Sequence, residues 1–410
     1  MIAYLVVGLI MLMFTLDVIV SLLNYNYRNK PIPENVKDIY DKEQYQKWLN
    51  YTMDQMRFGL IKKVFDTLLM VGLLVFGFFG TLEGWTNGWF ASPTLRTLSF
   101  LGVILVGLSL INIPFSYYST FVIEEKYGFN KTKKKTFFFD FVKNLILMTV
   151  LVGAVIALFS FLYLQFSDSI WLFVLFAWIA LSMIIVLMFI LNVKVFVKLF
   201  NKLSPLPEGE LRTRIEAMAK EVGFEVKAIS SMDASKRSTK LNAFFSGLGK
   251  TREVVLFDTL IEKLSDDEIL SVLAHELGHA MHKDAPRMIL ERIIIFGLYA
   301  AIIGFIMQSL TLATAFGLSG IHLGFGLILF TILIEPIDFI LGIPLNYLSR
   351  KAEYAADAFS TKYVDKKHMM SALRILVTEN YANLNPHPIY ILLHYSHPAI
   401  PDRLGALEKL

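Results

Sequence analysis

Seven apolar stretches constrain this chain more than any other feature of it. They lie near residues 2–23, 64–82, 98–121, 144–166, 170–193, 289–316 and 322–347. Each reaches or approaches the roughly 20 residues that a helix needs to cross about 30 Å of hydrocarbon. Lipid offers no water to backbone groups, so segments of this length must be helices that satisfy their own hydrogen bonds. Composition agrees: 55% of residues are hydrophobic, only 18% are charged, and the mean hydropathy is +0.55. Water-soluble domains carry about a quarter charged residues. The first stretch exceeds the apolar core of a signal peptide, and no small-residue cleavage site follows it, so it reads as a retained anchor.

Charge in the connections orients the spans. Residues 24–63 carry eight Lys and Arg, 122–143 include the cluster Lys131-Thr132-Lys133-Lys134-Lys135, and 194–288 are also basic. The alternate connections are nearly bare: 83–97 holds only Arg96, while 167–169 and 317–321 hold none. Positive charge stays inside. The expectation is a multi-pass protein of a bacterial inner membrane, or of the endoplasmic reticulum membrane in a eukaryote. Its N-terminus lies outside, and its polar segments face the cytoplasm. A net charge of +4, thinly scattered, argues against a nucleic-acid partner. The absence of cysteine excludes disulfides, a cysteine nucleophile and thiolate ligands.

Four segments follow. Residues 1–200 hold spans one to five, 201–288 form a first polar block, 289–348 hold spans six and seven, and 349–410 form a second. Both blocks fall on the same side and can pack as one α+β domain. The first opens on Ser204-Pro205-Leu206-Pro207, a helix-stopping linker. Leu211, Ile215, Met218, Ala219 and Val222 then make one helical face, closed by Gly223. Short strands are expected around 225–231, 241–246 and 253–257, with Gly247, Gly249 and Lys250 in the last turn.

The next helix opens on a capping box, Ser265 with Glu268, and carries His275-Glu276-Leu277-Gly278-His279. His275 and His279, four apart, project from one side and can share an ion. Glu276 stands beside that ion, where a general base acting on water belongs. Catalytic zinc takes three protein ligands. In Ser349–Ser360, Glu353 and Asp357 lie one turn apart: Glu353 either ligates or pairs with Arg350, and Asp357 can hold the free nitrogen of a ligand histidine. In His397-Pro398-Ala399-Ile400-Pro401-Asp402-Arg403, a cationic His and Arg could neutralise an oxyanion, but by residue type alone the segment reads as an ordinary loop.

These motifs together resemble the type I CAAX prenyl endopeptidases, membrane zinc metalloproteases. The likeness runs through HELGH, SRKAEYAAD (349–357) and SHPAIPDR (396–403). It also takes in PFSYYSTFVIEEKYGFNKT (114–132), FNKLSPLPEGELR (200–212) and SKRSTKLNAFFSG (235–247). Several of these have nothing to do with a metal, which makes the likeness specific. It implies seven transmembrane helices around a chamber, with a cytoplasmic α+β gluzincin-type metalloprotease domain. One Zn2+ per chain would be held by His275, His279 and Glu353, with Glu276 as base and Asp357 behind the ligands. His397 and Arg403 would contact the substrate carbonyl. Asn242, Ala243, Phe244, Phe245 and Ser246 would form the edge strand that holds the peptide. Where many relatives keep a further histidine, this chain has Asp284, with His282 earlier. The substrate implied is a C-terminally prenylated protein or peptide.

Three rivals remain on the residues. One is a general membrane quality-control metalloprotease. Another is a rhomboid-like serine protease built on Gly317-Leu318-Ser319-Gly320 and His322. The third is a transporter lined by Asp17, Asp66, Glu335 and Asp338.

Overall fold

Five of the seven apolar stretches fold as unbroken helical runs, and the helices outrun the apolar stretches at several ends. The structure, a computed structural model, describes residues 1–224, 226–246 and 253–410; at 193, 194, 245 and 246 it describes the backbone alone. Residues Ile2–Tyr27 form α1. Helix α2 spans Lys42–Val75 and α3 spans Phe78–Trp89, the two bent by 64°. Helix α4 (Pro93–Tyr118) runs on into a π-helical turn, Ser119–Glu124. Helices α5 (Lys134–Gln165) and α6 (Ile170–Leu191) follow. Among the described residues six helices are long and apolar enough to cross a membrane, seven when the bent α2–α3 pair is counted as one broken span.

The second span therefore differs from the straight segment expected at 64–82. Hydropathy runs unbroken through Phe76 and Gly77, but Gly77 sits at φ 68°, left-handed backbone that glycine adopts without steric cost. The sixth span also ends sooner than expected, at Ile306.

No span has the burial of a helix at the centre of a bundle. Between 6% and 28% of the most apolar window of each of those six helices is buried. A charged group within a span is costly unless it is paired. Asp17 of α1 pairs with Lys63 of α2, and both line a cavity of about 350 Å³ with Ser21, Asn24, Arg28 and Thr52.

The polar segments pack together on one side. After the short α7 (Lys198–Phe200) come β1 (Leu203–Pro205), α8 (Glu210–Glu221), β2 (Ala228–Met232), β3 (Ala243–Ser246) and β4 (Glu253–Phe257). Glu225 and the turn at Gly247, Gly249 and Lys250 lie outside the described residues. The strands order as β1-β2-β4-β3, with β2 parallel to β4 and the other pairs antiparallel. Strand β3 is an edge, paired with β4 alone among the described residues. The remaining helices are α9 (Asp258–Lys263), α10 (Asp266–Met281), α11 (Asp284–Ile306), α12 (Leu310–Thr314) and α13 (Leu323–Ser360). They are followed by α14 (Lys366–Asn380), α15 (Pro388–His394) and α16 (Ile400–Glu408).

One apolar core joins sequence-distant pieces. Ile215 and Met218 of α8, Ile229 of β2, Val254 and Leu256 of β4, and Ile269, Leu273 and Leu277 of α10 bury together with Ala372 of α14. Burying a Leu or Ile side chain fully is worth about 1.5–3 kcal/mol. This core holds α10 between the sheet and the long α13.

Candidate metal centre

Helix α10 begins at a satisfied cap. The Ser265 hydroxyl accepts from the Glu268 backbone N–H, and the Glu268 carboxylate accepts from the Ser265 N–H at 2.8 Å. From this fixed start, three turns along, His275 and His279 emerge on the side facing α13. Gly278 sets how near α13 comes. A β-carbon there would stand 3.0 Å from Cα of Ala356 and 3.1 Å from Cβ of Phe359, so any side chain would push the helices apart. With hydrogen alone at 278, Glu353 and Asp357 of α13 reach the two histidines.

Three side chains converge, with Glu353 turning one carboxylate oxygen to each histidine. Nε2 of His275 and Nε2 of His279 are 3.1 Å apart, His275 Nε2 lies 3.5 Å from Glu353 Oε2, and His279 Nε2 lies 3.3 Å from Glu353 Oε1. Ligands about 2.0–2.1 Å from a tetrahedral ion stand about 3.3 Å from each other. The triangle matches that spacing. Glu353 is 4% exposed, and its Oε2 makes no hydrogen bond among the described residues, with an ion-pair contact to Arg403 beside it, which leaves that oxygen open to a further cation. The residues fit a divalent ion with nitrogen and oxygen ligands. Arg350, the alternative partner for Glu353, instead donates to the backbone carbonyls of Ile391 and Tyr395.

Both imidazoles are fixed from behind. His275 Nδ1 is 2.8 Å from Asp357 Oδ1, and His279 Nδ1 is 2.9 Å from Asp284 Oδ2. A carboxylate on each Nδ1 keeps the proton there and leaves both Nε2 lone pairs for the ion. Asp357 is itself gripped by Arg403, whose Nε and Nη2 donate to its two oxygens at 2.8 and 2.6 Å. Nη1 of Arg403 faces Glu353 Oε2 at 3.4 Å. His397 Nδ1 lies 2.9 Å from Glu353 Oε1, with its ring exposed on the open side of the site. His282 closes α10 and sets its ring edge-on to Phe359.

These charges tune one another. Burial draws His275 and His279 towards neutrality, but hydrogen bonds to carboxylates outweigh it. His275 is raised by Asp357 and Glu353, and His279 is raised to about 9 by Glu353 and Asp284. Burial raises Glu276, against the opposing pull of His275 and His279. A carboxylate displaced upward is a better proton acceptor at neutral pH than an ordinary one.

The expected edge strand lies against α10. Phe257 N–H donates to the Asn242 carbonyl, Ala243 N–H donates to Asn242 Oδ1, and the Phe244 ring sits edge-on to Phe257. Phe245 and Ser246 pair with Val254 and Glu253 through their backbones.

Two models of known families divide the chain between them. "CAAX prenyl protease N-terminal, five membrane helices" matches residues 21–202, and "Peptidase family M48" matches 205–410. The chain belongs to peptidase family M48. CAAX prenyl protease 1 of Saccharomyces cerevisiae is 32% identical, over 92% of this chain and 88% of its own. The CAAX prenyl protease 1 homolog of Arabidopsis thaliana is 31% identical, over 98% and 96%. The crystal structure of S. mikatae Ste24p matches with TM-score 0.94 at 28% identity, covering 99% of both chains. This M48 member is thus a multi-pass membrane metalloprotease, which removes the transporter reading. The serine-protease reading also fails on geometry. Ser319 gives its hydroxyl and N–H to Glu83, while His322 caps α13 and packs at a tilt on Phe100, so each is engaged elsewhere.

Sequence reading singled out Asp284 but gave it no role; the structure sets it against His279. Its one signal is a carboxylate five residues past the second ligand histidine.

Proposed function

We propose that this chain is a zinc endopeptidase that cuts near the C-terminus of prenylated CAAX-type proteins, with its active site towards the cytoplasm. The observation that carries the reading is the 3.1–3.5 Å triangle of His275, His279 and Glu353, backed on both Nδ1 atoms by carboxylates. The relatives' printed activity and the basic connections supply substrate class and orientation. Residues 201–288 and 349–410 together form the catalytic domain.

Bound at that triangle, Zn2+ would lower the pKa of water to about 7 and polarise the scissile carbonyl. Glu276 takes the proton from the attacking water and returns it to the leaving amine. Asp357 and Asp284 keep the ligand imidazoles in the right tautomer. His397, on the open face, donates to the oxyanion. Arg403 anchors Asp357 and adds positive charge on the carbonyl side. The peptide adds as a strand beside Asn242–Ser246, with backbone hydrogen bonds giving affinity.

Purified protein in detergent, given one peptide sequence with and without a prenyl group, tests the assignment. Loss of cleavage under phenanthroline and selective cleavage of the prenylated peptide are expected. Equal cleavage of both peptides points instead to general membrane quality control. Glu353→Ala is expected to lose the metal; unchanged zinc content removes Glu353 as a ligand.

A further inference from the structure

The root of the edge strand is fastened to the membrane helices by groups that no step of the reaction uses. Ser238 pairs with Asn130 of the segment following α4, in antiparallel sense. Around that bridge, Lys131 N–H donates to the Arg237 carbonyl at 3.0 Å, and Thr239 N–H donates to the Phe129 carbonyl at 3.3 Å. The Arg237 guanidinium reaches two further elements. Its Nε and Nη2 donate to the two oxygens of Asp140, on α5, at 3.0 and 3.2 Å, and its Nη1 donates to Oδ1 of Asn201, just past α7, at 3.3 Å. Lys240 Nζ donates to the Tyr51 hydroxyl of α2 at 3.1 Å and lies 3.5 Å from Glu124 at the end of the π-helical turn. On the other flank, Asn380 of α14 exchanges two hydrogen bonds with the backbone of Leu241.

Five residues, 237–241, thus tie the strand to α2, the α4 exit, α5 and α14 immediately before Asn242. A peptide laid along an edge strand has its scissile carbonyl placed by that strand, and errors near 1 Å cost large factors in rate. A metal site on one polar domain and a lipid chain held among membrane helices must agree in register. Something has to fix the strand relative to the spans.

We propose that Arg237 is the positioning residue that does so: its two-pronged ion pair with Asp140 sets the peptide-holding strand relative to the membrane helices, and so selects where along the substrate the cut falls. The inference rests on the edge-strand reading above. A bidentate guanidinium–carboxylate pair, 23% exposed on each side, combines directional hydrogen bonds with charge, which a lysine cannot reproduce. Neither Arg237 nor Asp140 touches the metal triangle or its carboxylate supports.

The test uses the full chain in detergent and a farnesylated CAAX peptide. Arg237→Lys and Asp140→Asn should each raise KM by about tenfold or more, the scale of one charge-assisted hydrogen bond. Metal content and thermal midpoint should match the unmodified enzyme, while the rate at the original bond falls and products include cuts one residue away. The exchange Arg237→Asp with Asp140→Arg should restore KM and a single product. An unchanged KM with a single product in both single variants overturns the proposal. So does a loss that tracks the thermal midpoint, because the pair would then serve folding alone. A depsipeptide substrate with an ester in place of one strand-pairing amide separates the layers. If the unmodified enzyme cleaves ester and amide equally, the edge-strand reading fails and takes this inference with it. Ester sensitivity beside unaltered Arg237 variants defeats this inference alone.

Discussion

Asp284 Oδ2 accepts a hydrogen bond from Nδ1 of His279 at 2.9 Å, across only five residues of chain. Lys283 makes this possible. At φ 58° it reverses the backbone between α10 and α11, so the first residue of α11 swings back over the end of α10. A left-handed lysine costs about 1 kcal/mol, which the local fold sustains. The two histidines proposed as ligands are therefore supported alike, one by a neighbour in sequence and one by Asp357 from another helix.

That relationship predicts a metal phenotype. Asp284→Asn should weaken metal affinity by about 10- to 100-fold, the usual effect of removing a carboxylate behind a ligand histidine. Competition with a calibrated chelator measures it. Affinity equal to the unmodified protein would show that His279 needs no such support.

Glu276→Gln separates metal binding from proton transfer. Zinc stoichiometry should stay near one per chain while kcat falls by about 10²- to 10⁴-fold, the contribution expected of a placed general base. Retained turnover would assign the base elsewhere.

Gly278 predicts a graded series. The alanine β-carbon would meet Ala356 Cα at 3.0 Å, closer than contact distance, so α10 and α13 must part by a few tenths of an ångström. Overpacking of this kind costs about 1–3 kcal/mol. Gly278→Ala should lower the thermal midpoint and weaken metal binding, and Gly278→Val should abolish binding by carrying Glu353 away from the histidines. A Val variant with full zinc content would sink this account of the packing.

The metal-free protein should respond to pH through His279. Its pKa is raised from 6.5 to about 9, because Glu353 and Asp284 outweigh burial. A raised folded-state pKa contributes stability that is fully present below about 6.5 and is lost as pH rises through about 9, on the order of 3 kcal/mol. Over the same window the ligand proton stops competing with metal, so affinity should climb as apo stability falls. Thermal melts of chelated protein from pH 6 to 9.5, paired with metal titrations, check both slopes; an apo midpoint that rises across the window would contradict the sign.

Much of this protein is written in local pattern. Runs of some 20 apolar residues can only be helices in lipid, so the number of spans follows from length alone, although the break at Phe76–Gly77 does not show in hydropathy. The capping box of Ser265 and Glu268 and the spacing of four between His275 and His279 fix a helix and a shared face. Both depend on residues within a turn or two of each other.

Tertiary structure decided everything that needed a second segment. Whether Glu353 ligates or pairs with Arg350 depends on how closely α10 and α13 approach, which is set by the missing side chain at Gly278 and by the core beneath. Arg403 also holds Asp357 with two of its nitrogens, a partnership 46 residues apart that no sequence pattern shows. Asp284 reached His279 only because one lysine took a left-handed turn. Sequence spacing predicts which groups share a helix face; distances between faces come from packing, and metal chemistry is decided within a few tenths of an ångström there.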